Sequence, residues 1–273
     1  MSLSSRLFLI TLTAAATAQA AVINGDLTVN SFAAYAGQTN IVLQATGNII
    51  FSGGTLNLPA LPPGAAGGWL TVQAGNDVVV NDGVTIIADT GWSVDLAAGT
   101  TVFGPDPVVA PGIGDINFLG NGSLLVTDGS ISFRAGNNVT VDGGAVGAAG
   151  GGDINIIALG SVSAGNGNLP GQIGTVDGGS ISISAGEDIS GNIIPDGGVV
   201  VTNITAGGSI TNSPGDSIGI PIKGCAHGRF FPRDGHHPNP TAGKARTRHL
   251  AEPCFRHPTR PDLGRAQPCS GGR

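Results

Sequence analysis

Two pairs of acidic residues have the types and spacing that could support catalysis. Asp77 and Asp82 lie five positions apart, and Glu187 and Asp188 are adjacent. A glycosidase uses two carboxylates, one to protonate the leaving group and one as base or nucleophile. Carboxylates and backbone carbonyls at turns are also ligands that Ca²⁺ prefers. A carbohydrate-active enzyme with paired carboxylates and a calcium-binding solenoid are therefore the two chemical alternatives.

Other groups common in catalysis do not occur between residues 21 and 222. This stretch contains no His, Cys or Lys, and Arg134 is its one basic residue against fifteen acidic ones, a net charge of −14. A Ser–His–Asp or Cys–His arrangement therefore cannot form there. A lyase acting on acidic sugars would need more basic groups. We expect a protein that is not an enzyme, with no catalytic, cofactor-binding or metal-binding residues and no cofactor.

The acidic residues have a structural explanation as well. Many of them lie beside Gly or Asn, as in Asn81-Asp82-Gly83. Asn and Asp tolerate the left-handed backbone conformation and bond to nearby backbone in turns, and Gly adopts positive φ without steric cost. We therefore expect these carboxylates to build turns rather than to catalyse.

The turns belong to a repeat. The phrase AGNDVVVNDG at Ala74–Gly83 recurs as AGNNVTVDGG at Ala135–Gly144, and five related units accompany it. Each unit has alternating apolar residues leading to an alanine, then a small or polar turn, then more apolar residues. The alanines are 21 to 37 residues apart, a period typical of solenoids and propellers. They are Ala45, Ala74, Ala98, Ala135, Ala158, Ala185 and Ala206.

The pattern within each unit selects one architecture. Period-2 alternation, as in Ile181-Ser182-Ile183 and Val139-Thr140-Val141, predicts short strands buried on one face. No helical periodicity occurs between Val22 and Ile222, and a propeller blade needs about 40 residues. The sequence predicts an all-β protein, a right-handed parallel β-helix (β-solenoid) of roughly eight coils over residues 21–222. Pro/Gly-rich insertions at Leu58–Gly68 and Gly104–Gly114 are expected to bulge from its corners. A pair of β-sandwich domains is the competing fold, disfavoured by the repeated phrase and by the scarcity of aromatic residues.

The units LTVQAGNDVVV, ISFRAGNNVTV and ISISAGEDI resemble the degenerate repeats of filamentous-haemagglutinin-like bacterial exoproteins, over about residues 70–212. The resemblance implies a surface adhesin with a right-handed β-helical shaft. It supplies no binding residues that map onto this sequence. Family members secreted with a partner transporter usually begin with a domain rich in Asn-Pro motifs, and residues 21–60 show no clear version of it.

The two ends of the chain differ from the repeats. Residues 1–20 combine Arg6, an apolar run and Ala18-Gln19-Ala20, which predicts a signal peptide cleaved after Ala20. Residues 223–273 carry a net charge of +7 and predict a disordered basic C-terminal tail rich in Pro, Arg and His. Its abrupt onset near Gly224 supports the hypothesis of out-of-frame translation of a longer β-helix. A zinc site there lacks paired ligand spacing; its candidate ligands are Cys225, His227, His236, His237, Cys254 and Cys269.

The expected role follows from the predicted shape and export. We expect a non-catalytic structural or adhesive shaft, a fragment of a bacterial surface adhesin or exoprotein, secreted or held at the outer cell surface. Host or cell-surface glycans or proteins are the expected partners, and nucleic acid is not. Exposed strand edges at an end of the solenoid would favour self-association.

Overall fold

The fold is a parallel β-helix of three sheets that run the length of the solenoid. The computed structural model describes residues 21–165, 171–177, 179–195 and 203–211. The predicted signal peptide, the predicted C-terminal tail and the six candidate zinc ligands lie outside these ranges. Sheet 1 contains β2 (Asn40–Ala45), β5 (Gly68–Ala74), β8 (Trp92–Ala98), β13 (Ile131–Ala135), β16 (Ile154–Ala158), β19 (Ile181–Ala185) and β21 (Asn203–Ala206).

Sheets 2 and 3 meet in one long strand, β20 (Ile189–Pro195), whose first part pairs in sheet 2 and second part in sheet 3. The other strands of sheet 2 are β1 (Leu27–Val29), β3 (Ile49–Phe51), β6 (Val78–Val80), β11 (Ile116–Phe118), β14 (Val139–Val141), β17 (Val162–Ala164) and β22 (Ile210–Thr211). The other strands of sheet 3 are β4 (Thr55–Asn57), β7 (Thr85–Ala88), β12 (Ser123–Thr127), β15 (Ala145–Ala149) and β18 (Gln172–Thr175).

The register confirms the prediction made from the repeat. The seven anchoring alanines pair in succession, from Ala45 to Ala206, and so form one column at the ends of the sheet 1 strands. Within the described ranges sheet 2 has eight strands and sheet 1 has seven, which agrees with roughly eight coils. The all-β parallel β-helix predicted from the sequence is therefore confirmed.

The core is a narrow stack of apolar side chains, as the period-2 alternation predicted. Inward positions of sheet 1 such as Leu70, Val94 and Ile131 are fully buried. Aromatic residues contribute more than their scarcity suggested. Phe51, Phe118 and Phe133 are all buried, and the rings of Phe118 and Phe133 stack at 5.7 Å. An aromatic ring therefore fits the interior where neighbouring coils offer smaller side chains.

Both predicted insertions lie between stacked strands and leave the register intact. Leu58–Gly68 joins β4 to β5 and covers Trp92, whose Nε1 donates to the Pro59 carbonyl at 2.9 Å. The second insertion supplies β10 (Val108–Val109), which pairs antiparallel with β9 (Thr100–Val102) just before it, and we call the two strands with the rest of Gly104–Gly114 the hairpin insertion. Ala98, before the insertion, still pairs with Ala135, after it, so the strands of the two coils keep their register.

The first coil closes the N-terminal end of the core. After β1 the chain forms a three-residue 3₁₀ helix, Ala33–Tyr35, and Phe32 before it is 1% exposed. The Phe32 ring lies 6.3 Å from Phe51 and 6.4 Å from Tyr35. Phe32 therefore plugs the apolar interior. Among the described residues, no helix has the length and hydrophobicity needed to cross a membrane.

Candidate functional site

The acidic residues singled out in the sequence lie at the corners of the solenoid. Between sheets 1 and 2, one residue of each coil accepts a hydrogen bond, through a side-chain oxygen, from the backbone N–H of the equivalent residue in the next coil. We call this column the corner ladder. Its members, in order, are Asp26, Asn48, Asp77, Asp115, Asn138, Ser161, Asp188 and Ser209.

The corner ladder is continuous over seven steps. Its donor–acceptor distances run from 2.6 Å, between Ser209 N and Asp188 Oδ1, to 3.3 Å, between Asp188 N and Ser161 Oγ. Other corner residues keep backbone partners, such as Asn76 N on the Gly47 carbonyl, whereas the N–H of each ladder residue takes a side-chain acceptor. Short side chains with an oxygen one or two bonds beyond Cβ reach the next coil, about 4.8 Å away. Asp, Asn and Ser all perform this role.

A shorter column of the same kind lies at the corner between sheets 3 and 1. Ser93 Oγ accepts from Ser130 N at 3.1 Å, Ser130 Oγ from Asp153 N at 3.2 Å, and Asp153 Oδ1 from Ser180 N at 2.8 Å. The Ser180 hydroxyl also donates to Asp153 Oδ1 at 2.6 Å. These two bonds lower the pKa of the Asp153 carboxyl, with the hydroxyl contributing most and partial burial opposing it.

The structure does not bring the first predicted pair, Asp77 and Asp82, to one point. Asp77 Oδ1 accepts from Asp115 N at 2.9 Å in the corner ladder, whereas Asp82 Oδ1 accepts from Asn121 N at 2.8 Å at the corner between sheets 2 and 3. The extended strand β6 separates them, a span of about 16 Å. A glycosidase holds its carboxylates about 5–9.5 Å apart.

The second predicted pair shares a corner, and hydrogen bonds occupy both carboxylates. Asp188 Oδ1 belongs to the corner ladder, and Glu187 Oε2 accepts from the Ser161 hydroxyl at 3.2 Å. Asp188 lies four ladder steps beyond Asp77, or about 19 Å at the spacing of parallel strands. The two predicted pairs therefore do not combine into one acidic centre.

One acidic neighbourhood was missed from the sequence. Asp77 and Asp115 are 38 positions apart, yet they occupy successive steps of the corner ladder. Their separation in the sequence exceeds that of other neighbouring ladder members because the hairpin insertion lies between them. Asp77 Oδ1 accepts from the Asp115 N–H, and Asp115 Oδ1 accepts from the Asn138 N–H. Within the described residues, no three His, Cys, Asp or Glu side chains converge as a metal site.

Arg134, the basic residue of the repeats, pairs with a nearly buried carboxylate. Its Nη2 lies 3.6 Å from Asp95 Oδ2 on the outer side of sheet 1, and Asp95 Oδ1 is buried without a hydrogen-bond partner among the described residues. Burial raises the pKa of the Asp95 carboxyl, opposed by the charge of Arg134 and by a hydrogen bond from Ser132. This ion pair accounts for Arg134.

The hairpin insertion covers the neighbouring part of the same face. Gln44 Nε2 donates to Gln73 Oε1 at 2.8 Å, and Gln73 Nε2 donates to the carbonyl of Gly104 at 2.5 Å. The Gly104 N–H returns a bond to Gln73 Oε1 at 2.9 Å. Gln73 is therefore buried although it points away from the core. The sequence offered no local pattern for this contact, since thirty-one positions separate its partners.

The aromatic residues do not form a sugar-stacking platform. Trp92 is buried and Tyr35 packs on the terminal plug, but Trp69 stands alone on the outer edge of sheet 1 with 52% of its surface exposed.

The chain matches no protein-family profile, no curated protein and no solved structure. Its corners and outer faces therefore carry the functional inference.

Proposed function

We propose that this chain is a non-catalytic shaft of an exported bacterial surface adhesin or exoprotein, with a role in reach, display and adhesion. The corner ladder is the observation that carries the proposal. It commits an oxygen of Asp26, Asp77, Asp115 and Asp188 to the backbone of the next coil. Carboxylates held in this way stabilise the stack of coils.

The arrangement suits a shaft because each coil completes its neighbour. A solenoid lengthens by adding coils without changing those already present, since each unit contacts only the next. Eight strands of sheet 2, at about 4.8 Å each, extend for about 34 Å from first to last. Longer chains of the same design would extend proportionally further from a cell surface.

The outer face of sheet 1 is the surface we assign to adhesion. Beyond the hairpin, it presents a column of hydroxyl and amide side chains, Ser132, Asn155, Ser182 and Asn203, in register on successive strands. Their spacing of about 4.8 Å places a hydrogen-bonding group at each strand of the sheet. Asn155 and Asn203 are exposed. Groups of this kind suit glycans or polar protein surfaces on another cell.

Bead adhesion tests the proposal. Beads coated with the full chain should adhere to cultured host cells and to immobilised cell-surface glycans more than albumin-coated beads do. The double variant Asn155→Ala/Asn203→Ala should lower this adhesion. Its matched control, Thr140→Ala/Ser163→Ala, alters the outward column of sheet 2 and should adhere like the wild type. Wild-type beads that adhere no better than albumin beads would refute the adhesive role.

A carboxylate enzyme is the second candidate, because Asp77 and Asp115 stack on neighbouring coils. It predicts release of reducing ends or unsaturated sugars from a polysaccharide panel. Asp77→Asn separates the two candidates, since asparagine keeps the oxygen that accepts the hydrogen bond but cannot act as acid or nucleophile. Product release by the wild type that Asp77→Asn abolishes, with unchanged stability, would establish the enzyme and overturn the shaft proposal.

A further inference from the structure

A cleft of about 220 Å³ opens at the N-terminal end of the solenoid. One wall is the segment 30–33, which leads into the 3₁₀ helix, and the other is β4 with Pro59. Among the described residues it lies apart from the corner ladder and from the outer face of sheet 1. Its shape follows from the first coil, which contributes β1 to sheet 2 and then sends Phe32 into the core instead of forming a strand of sheet 3 under β4.

Among the residues that the structure describes, the cleft runs along a strand edge with no pairing partner. β4 is the terminal strand of sheet 3, with β7 on its other side. The Gly54 carbonyl accepts from Thr85 N at 3.1 Å, and Leu58 N donates to the Ile87 carbonyl at 2.8 Å. Backbone groups alternate sides along a strand, so residues 54, 56 and 58 face β7. The N–H and C=O groups of Thr55 and Asn57 therefore face the cleft.

We propose that this cleft is a strand-addition site that takes an extended, uncharged segment of a second polypeptide. The incoming strand pairs with the Thr55 and Asn57 backbone and extends sheet 3 by one strand. Strand addition of this kind draws affinity from main-chain hydrogen bonds and selectivity from pockets for alternate side chains. The proposal goes beyond the shaft and adhesion role and does not depend on it.

The lining of the cleft defines the chemistry of the partner. Its walls carry Asn, Ser, Thr, Phe, Leu, Ala and Pro side chains and no charged group. The lining therefore offers no opposite charge to a charged side chain, whereas its amide and hydroxyl groups can bond to an uncharged polar one. Phe32 and Leu56 are almost fully buried and form the apolar floor, while Thr55 and Asn57 are exposed at the rim. A strand of alternating small apolar and hydroxyl residues matches this surface.

The test measures peptide binding to the full chain by fluorescence anisotropy. The probe is a labelled, end-blocked peptide of alternating threonine and valine with a glycine at each end. Asn57→Pro removes a donor that faces the cleft, while the bonds to β7 come from residues 54, 56 and 58. We expect saturable binding to the wild type and to Asn57→Ala, and binding about tenfold weaker to Asn57→Pro.

A second probe keeps the proposal testable if Asn57→Pro does not fold. The same peptide, N-methylated at every residue, retains its side chains but cannot donate main-chain hydrogen bonds, and it should not bind the wild type. Absence of saturable binding, or equal binding of both peptides, would overturn the proposal. Concentration-dependent self-association that Asn57→Pro abolishes, without peptide binding, would overturn it in favour of a second copy of this chain.

Discussion

Asp77 Oδ1 accepts a hydrogen bond from the backbone N–H of Asp115 at 2.9 Å, across 38 positions of sequence. The relationship links two coils that the hairpin insertion separates in the chain. Together with the pairing of Val78 and Ile116 beside it, the bond keeps the two coils aligned although the repeat length differs here. Asp77, which the sequence offers as a candidate catalytic carboxylate, thus has a structural partner in the Asp115 N–H.

Close approach of the backbone explains a column of glycines at the corner between sheets 3 and 1. A Cβ added to Gly152 would collide with the Gly129 carbonyl, and one added to Gly179 would collide with the Gly152 carbonyl. We predict that Gly152→Ala lowers the free energy of unfolding by about 2 kcal/mol or more, because backbone must shift to relieve the clash. Urea unfolding followed by circular dichroism measures it.

Gly147→Ala is the matched control. A Cβ at Gly147 would meet Leu125 Cδ2 at an ordinary 3.5 Å, and Gly147 does not adopt a positive φ. We expect its unfolding midpoint to equal or exceed that of the wild type. Equal destabilisation by both substitutions would show that loss of glycine itself, and not the close approach, causes the effect.

The alanine column should resist larger residues. Ala135 is fully buried between Ala98 and Ala158. Ala135→Leu is expected to lower the free energy of unfolding by about 1–3 kcal/mol, because extra methylenes overpack a filled core. Ser184→Leu, at an exposed outward position of β19, should change it by less than about 0.5 kcal/mol. Similar costs for the two variants would contradict a tightly packed column.

Two aspartates should give opposite contributions to the pH dependence of stability. The lowered pKa of Asp153 means that its contribution is present above its unfolded value, about 3.9, and is lost as pH falls through the folded pKa. Asp153→Asn should therefore reduce the loss of stability between pH 5 and pH 2. Thermal unfolding across that range provides the measurement, and an unchanged pH dependence would contradict the prediction.

Asp95 has the reverse sign because burial raises its pKa. Its stabilising contribution is complete below about pH 3.9 and is lost as pH rises through the folded pKa. Asp95→Asn should raise the unfolding midpoint at pH 7 more than at pH 3. A larger gain at pH 3 would indicate that the ion pair with Arg134 outweighs the burial of the carboxylate.

Gln73 should control the hairpin insertion. Gln73→Ala removes both side-chain bonds to Gly104, so hydrogen exchange across residues 100–109 should accelerate while exchange in β5 and β8 stays slow. Gln44→Ala removes only the bond from Gln44 to Gln73 and leaves both bonds between Gln73 and Gly104. It should therefore affect the hairpin less. Unchanged exchange in the Gln73 variant would show that other contacts hold the hairpin.

The sequence was informative wherever the controlling signal was local. Alternation along Ile181-Ser182-Ile183 and the recurring alanines predicted the strands, the core face and the column from Ala45 to Ala206, because period and turn chemistry depend on adjacent residues. The use of Asp at corners was likewise predictable. Asp128 and Asp177 adopt positive φ there, at 55° and 65°.

Contacts between coils that involve the insertions or the first coil could not be predicted from the sequence. Nothing local to Asp77 identifies Asp115 as its partner, since the number of intervening residues depends on the insertion. The contact of Gln73 with Gly104 and the plug formed by Phe32 require a three-dimensional register that unequal repeats conceal. The cleft beside β4 was hidden for the same reason, since it exists because the first coil adds no strand to sheet 3.

The unfolding free energy of Asp77→Asn, compared with Asp77→Ala and the wild type, tests most directly whether the corner carboxylates are structural. Asn48 and Asn138 already fill equivalent ladder positions, so we predict that Asp77→Asn lies within about 0.5 kcal/mol of the wild type. Asp77→Ala leaves the Asp115 N–H without its acceptor and should lose about 1–2 kcal/mol. Wild-type stability in both variants, or an equal loss in both, would contradict the ladder as the reason for these carboxylates.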